Sequence, residues 1–235
     1  MSTTQPALPT PCPPTAARSA IPVLCPYSLS PLLSSAHHID SYPSNSGLFS
    51  FASTTLILSL YNCNTHGTSS ATPNLVVGMA LFCGGLAQLL AGMWEFAVGN
   101  TFGATAFSSY GAFWLSYATI LIPGSGIADA FTENPSEEPN AIGIFLISWM
   151  IVTFIFFLSC LRRSIGLLAL FGFLTITFML LAIANFTGKS SVTTAGGVFG
   201  AITAFIAYYC GAAELLTVDD AFMLPLGHQI AKRND

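Results

Sequence analysis

The chain has 235 residues and a formal net charge of −4; 53% of its residues are hydrophobic and only 7% are charged. Soluble domains carry about 25% charged residues, so this composition and a mean hydropathy of +0.68 exclude an ordinary water-soluble fold and favour the lipid bilayer as a partner. Six Lys and Arg residues are too few for a phosphate-binding face, which argues against nucleic acid as a partner.

The first 46 residues are rich in Pro, Ser and Thr, with several prolines between Pro9 and Pro14. Proline removes a helix donor and fixes φ, so such a segment does not sustain regular elements. We expect residues 1–46 to form a disordered cytoplasmic tail and residues 218–235 to form a short cytoplasmic tail. Residues 47–217 between them are expected to form a six-helix transmembrane domain.

Six apolar segments lie between the two tails, most of them close to the roughly 20 residues that cross a ~30 Å hydrocarbon core. Pro and Gly residues in the connections end and restart the helices. The pattern predicts an all-α membrane protein with six transmembrane helices per protomer around a narrow central path. The segments are 47–62, 74–98, 104–122, 141–161, 165–186 and 192–216.

The basic residues predict the orientation, because cytoplasmic loops retain Lys and Arg. Six spans place both termini on one side of the membrane. All basic residues except Lys189 then fall on that side, so we expect both termini in the cytoplasm and the acidic loop 123–140 outside. The residues on the cytoplasmic side are Arg18, Arg162, Arg163, Lys232 and Arg233.

The stretch from Gly84 to Tyr117 carries many polar side chains among residues suited to a bilayer. Polar atoms at membrane depth are costly unless they face other helices or a water-filled path, so we interpret this stretch as the lining of a pore. A pore without internal Lys or Arg favours small, weakly hydrated or protonatable solutes. Its polar residues are Gln88, Glu95, Asn100, Thr101, Thr105, Ser108, Ser109 and Tyr110.

Three residues leave alternatives open. Glu95 and Glu214 each end an apolar run, where a carboxylate either serves function or sits at headgroup level or caps a helix. Tyr110 either packs in the core or hydrogen-bonds a small oxyanion while its ring narrows the path.

The six cysteines show no CxxC spacing, and no HExxH, GxSxG or GxxxxGK[ST] pattern occurs. We therefore expect unpaired thiols, no metal, no cofactor and no enzymatic activity.

The segment AGMWEFAVGNTFGATAFSSYGAFWLS carries a resemblance to a known family. It is similar, almost throughout, to the GNTFG…SYG…FW signature of the acetate uptake transporters, also called the acetate/succinate permease or SatP/YaaH-like family. Two weaker similarities flank it, LLAIAN at Leu180–Asn185 and LPLG at Leu224–Gly227. The Pro-rich tail resembles that of fungal members.

The resemblance implies a six-helix protomer that assembles into a homo-hexamer, each protomer with its own path for acetate and related monocarboxylates, in some members succinate. It implies a hydrophobic constriction at Phe51, Tyr110 and Leu174, and a position linked with substrate size at Ala207. Polar path residues carried over from the family are Thr54, Thr55, Glu95, Asn100, Thr101 and Asn185. The family's entrance motif NPAPLGL is reduced here to Pro43, Gly47 and Leu48.

Our leading hypothesis from the sequence is a plasma-membrane permease for acetate, coupled to protons by symport or by passage of the neutral acid. The reduced entrance motif and the Pro-rich tail, which could bind proteins in an extended form, favour one alternative, a non-transporting membrane sensor or regulatory relative. An association with ammonium export, as linked with fungal relatives, is the other.

Overall fold

The computed structural model describes residues 42–68, 74–216 and 224–225. The predicted N-terminal tail up to residue 41 and most of the C-terminal tail lie outside these residues. Within them the helices are α1 (Tyr42–Asn62), α2 (Asn74–Leu81), a π-helical turn (Phe82–Ala87), α3 (Gln88–Ala97), α4 (Thr101–Leu121), α5 (Glu137–Cys160), α6 (Ile165–Thr187) and α7 (Ser190–Leu215). Short 3-10 turns lie in the connections at Thr65–Gly67, Pro123–Ser125 and Asp129–Phe131.

Four helical segments of the described chain are long and apolar enough to cross a membrane: Leu75–Ala97, α5, α6 and α7. Large apolar side chains cover their outer faces, and Phe82, Ile144 and Phe205 are each more than 60% exposed. Apolar surface on this scale requires a partner other than water. The structure is therefore that of an all-helical membrane protein, as the composition predicts.

The other two long helices, α1 and α4, have 21 residues each and contain more Ser, Thr and Gly than Leu75–Ala97, α5 and α6. In α1, Phe51, Ala52, Thr54 and Thr55 are buried. A helix rich in hydroxyl side chains finds its partners inside a bundle more readily than in lipid. The four-span count rests on apolar length, so the six-span topology stays a prediction.

Two helices begin earlier than the sequence suggested. Helix α1 starts at Tyr42, inside the predicted tail 1–46, because Pro43 occupies the first turn, where its missing N–H breaks no helical hydrogen bond. Helix α5 starts with Glu137 and Glu138 in its first turn. Negative side chains at that position interact favourably with the helix dipole, so these acids begin the helix rather than end the loop.

The polar break between α3 and α4 is shorter than the predicted segment 99–103. Only residues 98–100 separate the two helices, with Gly99 at φ +83°, a left-handed value that favours glycine. Asn100 caps α4, because its side-chain oxygen accepts a hydrogen bond of 3.1 Å from the Gly103 N–H. The cap brings Thr101 and Phe102 into the helix.

The second span is not a continuous helix, since it contains the π-helical turn Phe82–Ala87. A Cβ atom at Gly84 would lie 2.8 Å from Thr54 Oγ1 and 2.8 Å from the Trp114 ring. Glycine at this position thus allows α1 and α4 to approach the turn closely. Such turns are rare and frequent at functional sites, and this one ends directly before Gln88.

Aromatic rings form much of the core between α4, α5 and α6. The ring centroid of Phe113 lies 5.1 Å from those of Trp114 and Trp149, and 5.3 Å from that of Phe178. Edge-to-face pairs of this kind contribute about 0.5–1.5 kcal/mol each beyond the area they bury. The cluster fixes the relative positions of the helices that carry the site described below.

Helix α3 packs against α4 through Gly92, which gives the first prediction. A Cβ atom at this position would lie 2.6 Å from the Ser108 backbone nitrogen, so Gly92→Ala should destabilise the fold by about 1–3 kcal/mol through overpacking. Gly78→Ala is the matched control, because no atom lies within 4 Å of its added Cβ and alanine favours helix. Thermal unfolding in nanodiscs measures both variants. Equal melting temperatures for Gly92→Ala and the wild type would contradict this packing.

Candidate functional site

Two cavities open toward opposite ends of the helices. The larger, about 500 Å³, is lined at the ends of helices by Asn62, Leu121, Glu138, Asn185 and Thr193. The smaller, about 70 Å³, is lined at the opposite helix ends by Leu48, Phe102, Leu167 and Glu214. Phe51 lines both cavities, so they approach each other at this one ring.

Tyr110 and Leu174 flank Phe51 at this junction. Tyr110 lines the smaller cavity and Leu174 the larger one, and the rings of Phe51 and Tyr110 pack edge to face with centroids 5.6 Å apart. All three side chains are at least 95% buried. The structure therefore brings together the three residues that the resemblance assigns to a constriction.

The Tyr110 hydroxyl does not face a ligand in this arrangement. It donates a 2.8 Å hydrogen bond to Thr153 Oγ1, and Thr153 donates in turn to the Trp149 carbonyl at 2.7 Å. Because the hydroxyl is held by α5, the ring is fixed and presents its apolar surface to the junction. The suggestion that this phenol hydrogen-bonds an oxyanion is not supported by this geometry.

The larger cavity has two buried polar atoms without a hydrogen-bond partner, Thr55 Oγ1 and Trp114 Nε1. Other buried threonines satisfy their hydroxyls within their own helix, as Thr177 does by donating to the Phe173 carbonyl at 2.9 Å. An indole N–H is a donor only, and a hydroxyl is a donor and an acceptor. Thr55 follows the constriction residue Phe51 by four positions in α1, and Trp114 follows Tyr110 by four positions in α4, so each donor lies about one helical turn from a constriction residue along its own helix.

The smaller cavity has two buried oxygens without a hydrogen-bond partner, Gln88 Oε1 and Glu214 Oε2. Gln88 is only 1% exposed. Asn100 also lines this cavity, and its amide donates a 2.5 Å hydrogen bond to the buried carboxylate of Glu95. The unpartnered atoms here are acceptors, in contrast to those of the larger cavity.

Local sequence explains how Glu95 reaches its partner. A Cβ atom at Gly103 would lie 2.5 Å from Asn100 Nδ2 and 3.0 Å from Glu95 Oε2, so only glycine leaves room for this pair. The N-terminus of α4 lies beside it, and a helix N-terminus favours a nearby negative charge. The GNTFG segment thus contains part of the turn between α3 and α4, the cap residue Asn100, and the glycine that leaves room for the buried Glu95 side chain.

The remaining residues of the sequence-based site are placed differently. Thr101 is exposed. Ala207 and Thr54 are fully buried, and neither lines one of the two cavities; Thr54 donates to the Ser50 carbonyl at 3.0 Å. Asn185 lines the larger cavity, Leu48 the smaller, and Gly47 packs under the Phe107 ring. Pro43 lies in α1.

Sequence reasoning underrated two residues of the site. Trp114 is not among the candidate residues named from the sequence, and for Glu214 the sequence leaves function, the headgroup level and a helix cap open; each lines a cavity and has a buried polar atom without a hydrogen-bond partner. The signal in the sequence was their polarity inside apolar runs. Within residues 42–68 and 74–216, which the structure describes, no cluster of three His, Cys, Asp or Glu residues could hold a metal ion, and four cysteines there are free thiols.

Membrane-length helices around two cavities that converge on one aromatic junction define a polytopic membrane protein with an internal path. The chain belongs to the GPR1/FUN34/yaaH family, whose sequence profile matches residues 27–231. The family predicted from the central motif is thereby confirmed.

Named relatives agree with this membership. The chain is 46% identical over 187 residues to ammonia transport outward protein 2 of Saccharomyces cerevisiae, covering 80% of this chain and 66% of the relative. It is 41% identical to acetate permease A of Emericella nidulans, covering 79% and 65%. It is 36% identical to the succinate-acetate/proton symporter SatP of Escherichia coli, covering 79% and 94%. The chain thus spans slightly less than two thirds of the length of these fungal relatives.

A solved structure confirms the fold. The structure of the bacterial acetate channel SatP superposes with a TM-score of 0.66 at 34% sequence identity, covering 74% of this chain and 92% of that one. A match of this extent places the helices of the two proteins in a common arrangement.

The Asn100 side chain generates the second prediction, because it both caps α4 and donates to Glu95. Asn100→Ala should lower stability by about 2 kcal/mol or more, roughly 1 from the cap and 1–3 from a donor lost to a buried carboxylate. Asn140→Ala is the control, since exposed Asn140 only donates to the Ser136 carbonyl. Thermal unfolding of the two variants should separate them by several degrees, and equal effects would show that the cap carries no such role.

Proposed function

We propose that this protein is a membrane permease or channel for acetate and related short monocarboxylates. Succinate is a further candidate substrate, and transport is coupled to protons. The observation that carries the proposal is the junction at Phe51, where two cavities from opposite ends approach each other. Family membership and relatives named as an acetate permease and an acetate/proton symporter support it. Transport needs no catalytic group and no cofactor.

The larger cavity is the proposed carboxylate site. Trp114 Nε1 and Thr55 Oγ1 lack protein partners, and both can donate to a carboxylate oxygen. Asn185 lines the same cavity and adds a polar wall. Unpaired buried donors are unfavourable in an empty site and favourable once a ligand supplies acceptors, so this cavity is suited to the anion.

The constriction is the proposed selectivity element. Phe51, Tyr110 and Leu174 present apolar surface, and neither cavity has Lys or Arg among the described residues of its wall. A carboxylate would cross such a junction without a counter-charge, which is costly at membrane depth. Protonation near the ordinary carboxyl pKa of about 4 removes that penalty, so the neutral acid is the species favoured at the junction.

The other candidate residues named from the sequence do not contact the solute at the junction in this proposal. They hold the helices around the path in place. Glu95 and Asn100 hold the α3–α4 turn beside the smaller cavity, and Ala207 and Thr54 pack tightly behind the wall, where a larger side chain would narrow the path. Thr101, at the exposed start of α4, and the entrance-motif residues Pro43, Gly47 and Leu48 lie near the same end.

The proposed organisation is a homo-hexamer in the plasma membrane, with six spans per protomer and both termini in the cytoplasm. Arg163 stacks over the Phe102 ring at the start of α4, and Phe102 lines the same cavity as Leu48 near the start of α1. The turn with Arg162 and Arg163 is thus at the end of the helices where α1 begins, which supports that orientation by the positive-inside rule. Residues 1–46 and 218–235 would then be cytoplasmic tails, flanking the transmembrane domain 47–217.

Labelled acetate uptake into proteoliposomes tests the proposal. Uptake should be saturable and faster at acidic than at neutral external pH, because the neutral acid fraction rises as pH falls. Phe51→Ala should widen the junction and reduce discrimination against one extra methylene, propionate over acetate, by about tenfold. Phe205→Ala, 63% exposed on α7, should leave discrimination unchanged.

Rates equal to those of empty vesicles at both pH values would remove the proposal. Flux that appears only after Asn-Pro-Ala-Pro is restored at Tyr42–Asn45 would instead favour the regulatory alternative, which the relative named glyoxylate pathway regulator also supports, at 41% identity. The ammonium-export alternative, supported by the name of the 46% identical yeast relative, predicts ammonium flux without acetate flux.

Trp114 gives a separate prediction for the carboxylate site. Trp114→Phe removes the unpartnered N–H and keeps an aromatic ring, so the KM for acetate should rise about tenfold, as expected for one hydrogen bond to a charged group. Stability should change little, because no internal hydrogen bond is lost. Trp94→Phe, half exposed at 52%, is the control. An unchanged KM in Trp114→Phe would show that the indole does not contact the solute.

A further inference from the structure

In the smaller cavity, the buried atoms of the described residues that lack hydrogen-bond partners are acceptors only. They are Gln88 Oε1 and Glu214 Oε2. Gln88 is only 1% exposed, so bulk water does not satisfy its oxygen, and buried acceptors without partners are rare in native proteins. A hydrogen on Glu214 Oε2 would make that atom a donor, so a proton is the smallest ligand that corrects the imbalance.

A second carboxyl group nearby indicates which side chain binds this proton. Glu95 lies close enough to Glu214 for their charges to interact, and two neighbouring carboxyl groups do not readily ionise together. Asn100 donates a hydrogen bond to Glu95, and the adjacent N-terminus of α4 favours a negative charge there. Glu214 Oε2 has no such donor. The arrangement therefore places the negative charge of the pair on Glu95 and the proton on Glu214.

The other titratable and charged groups around Glu214 do not replace this proton. Cys210 lies one turn earlier on α7 and interacts with Glu214, and Tyr110 lines the same cavity. Helices α1 and α6 pack against α7 and contain no Asp, Glu, His, Lys or Arg residue. The Arg163 guanidinium lies 4.5 Å from the centroid of the Phe102 ring, which belongs to the wall. No basic residue among those described lines the cavity itself.

The proposed path brings an acid to this oxygen. A carboxylic acid that passes Phe51 leaves the donors Trp114 Nε1 and Thr55 Oγ1 behind and enters the cavity that Gln88 and Glu214 line. The cavity volume of about 70 Å³ exceeds the roughly 10–15 Å³ that one water molecule requires. Water therefore has room to receive the proton once the solute has left.

We propose that Glu214 is the proton acceptor of the path and that Gln88 Oε1 orients the arriving acid, an inference that rests on the proposed acetate permease. The O–H bond of the acid breaks, and its proton forms an O–H bond with Glu214 Oε2. The electron pair stays on the solute, which leaves as the carboxylate. Glu214 then passes the proton to water and is ionised again. The reverse sequence loads a proton, so one proton moves with each carboxylate.

Acetate exchange across proteoliposomes, with the same pH on both sides and the rate of empty vesicles subtracted, tests this step. At about pH 5 much of the solute is neutral acid, whereas at about pH 7 nearly every crossing requires a proton to be loaded and released. Glu214→Gln should therefore slow exchange about tenfold or more at the higher pH, as for a lost acid–base group, and much less at the lower pH. Glu133→Gln is the matched control, because this exposed acid between α4 and α5 lines neither cavity. It should match the wild type at both pH values.

Infrared difference spectra between acidic and alkaline pH examine Glu214 without transport. They are recorded on the purified full chain in acetate-free buffer. The wild type should show a C=O band of a protonated carboxyl group that disappears in Glu214→Gln and shifts in Glu214→Asp. The aspartate variant keeps a carboxyl group at this position, so the assignment holds even where the glutamine variant does not fold.

A pH-dependent loss of exchange and a band assigned to Glu214 support the proton acceptor. Equal slowing of Glu214→Gln at both pH values shows a structural defect and overturns the inference, as does a carboxyl band that is unchanged in the Glu214 variants. Either of these results leaves the acetate permease standing, because the wild type still exchanges acetate. Wild-type exchange no faster than that of empty vesicles overturns the permease proposal and the inference together.

Discussion

In a bilayer, every polar group must find its partner inside the protein, and this constraint organises the structure. Most buried threonines in the described chain donate to the carbonyl four residues earlier in their own helix, as Thr54, Thr153 and Thr203 do. The helices thereby carry polar residues at membrane depth without a penalty. Any buried polar atom that escapes this rule requires another explanation.

Five buried side-chain atoms of the described residues have no hydrogen-bond partner, and four of them lie on cavity walls. The fifth, Asn45 Oδ1, lies near the start of α1 and on neither wall. The four divide by chemistry: Trp114 and Thr55 offer donors on one side of Phe51, whereas Gln88 and Glu214 offer acceptors on the other. Leaving such a group without a partner costs about 1–3 kcal/mol, which is why the proposed function assigns ligands to these positions.

The sequence was sufficient to predict the class of protein and most of the helices, because the composition and the length of the apolar segments indicate a lipid environment directly. It placed helix ends less well, since Pro43 and the acids at Glu137 and Glu138 are compatible with both a loop and a first helical turn. The sequence did not predict which side chains contact each other between helices. The hydroxyl of Tyr110 bonds Thr153, 43 positions away in the chain, and no local pattern predicts a contact between two helices at that separation.

The hydrogen bond between Tyr110 and Thr153 affects how an acid would pass between cavities whose walls contain no Lys or Arg among the described residues. Because the Tyr110 hydroxyl is held by Thr153, the junction between the cavities presents aromatic and aliphatic carbon from Phe51, Tyr110 and Leu174. Donors lie on one side of this apolar step and acceptors on the other, so a carboxylic acid that crosses it leaves hydrogen-bond donors and meets oxygens that accept its O–H. A carboxylate has no hydrogen to donate to the amide oxygen of Gln88 and would be repelled by an ionised Glu214. In the proposed permease, this arrangement opposes passage of the anion and favours the protonated acid.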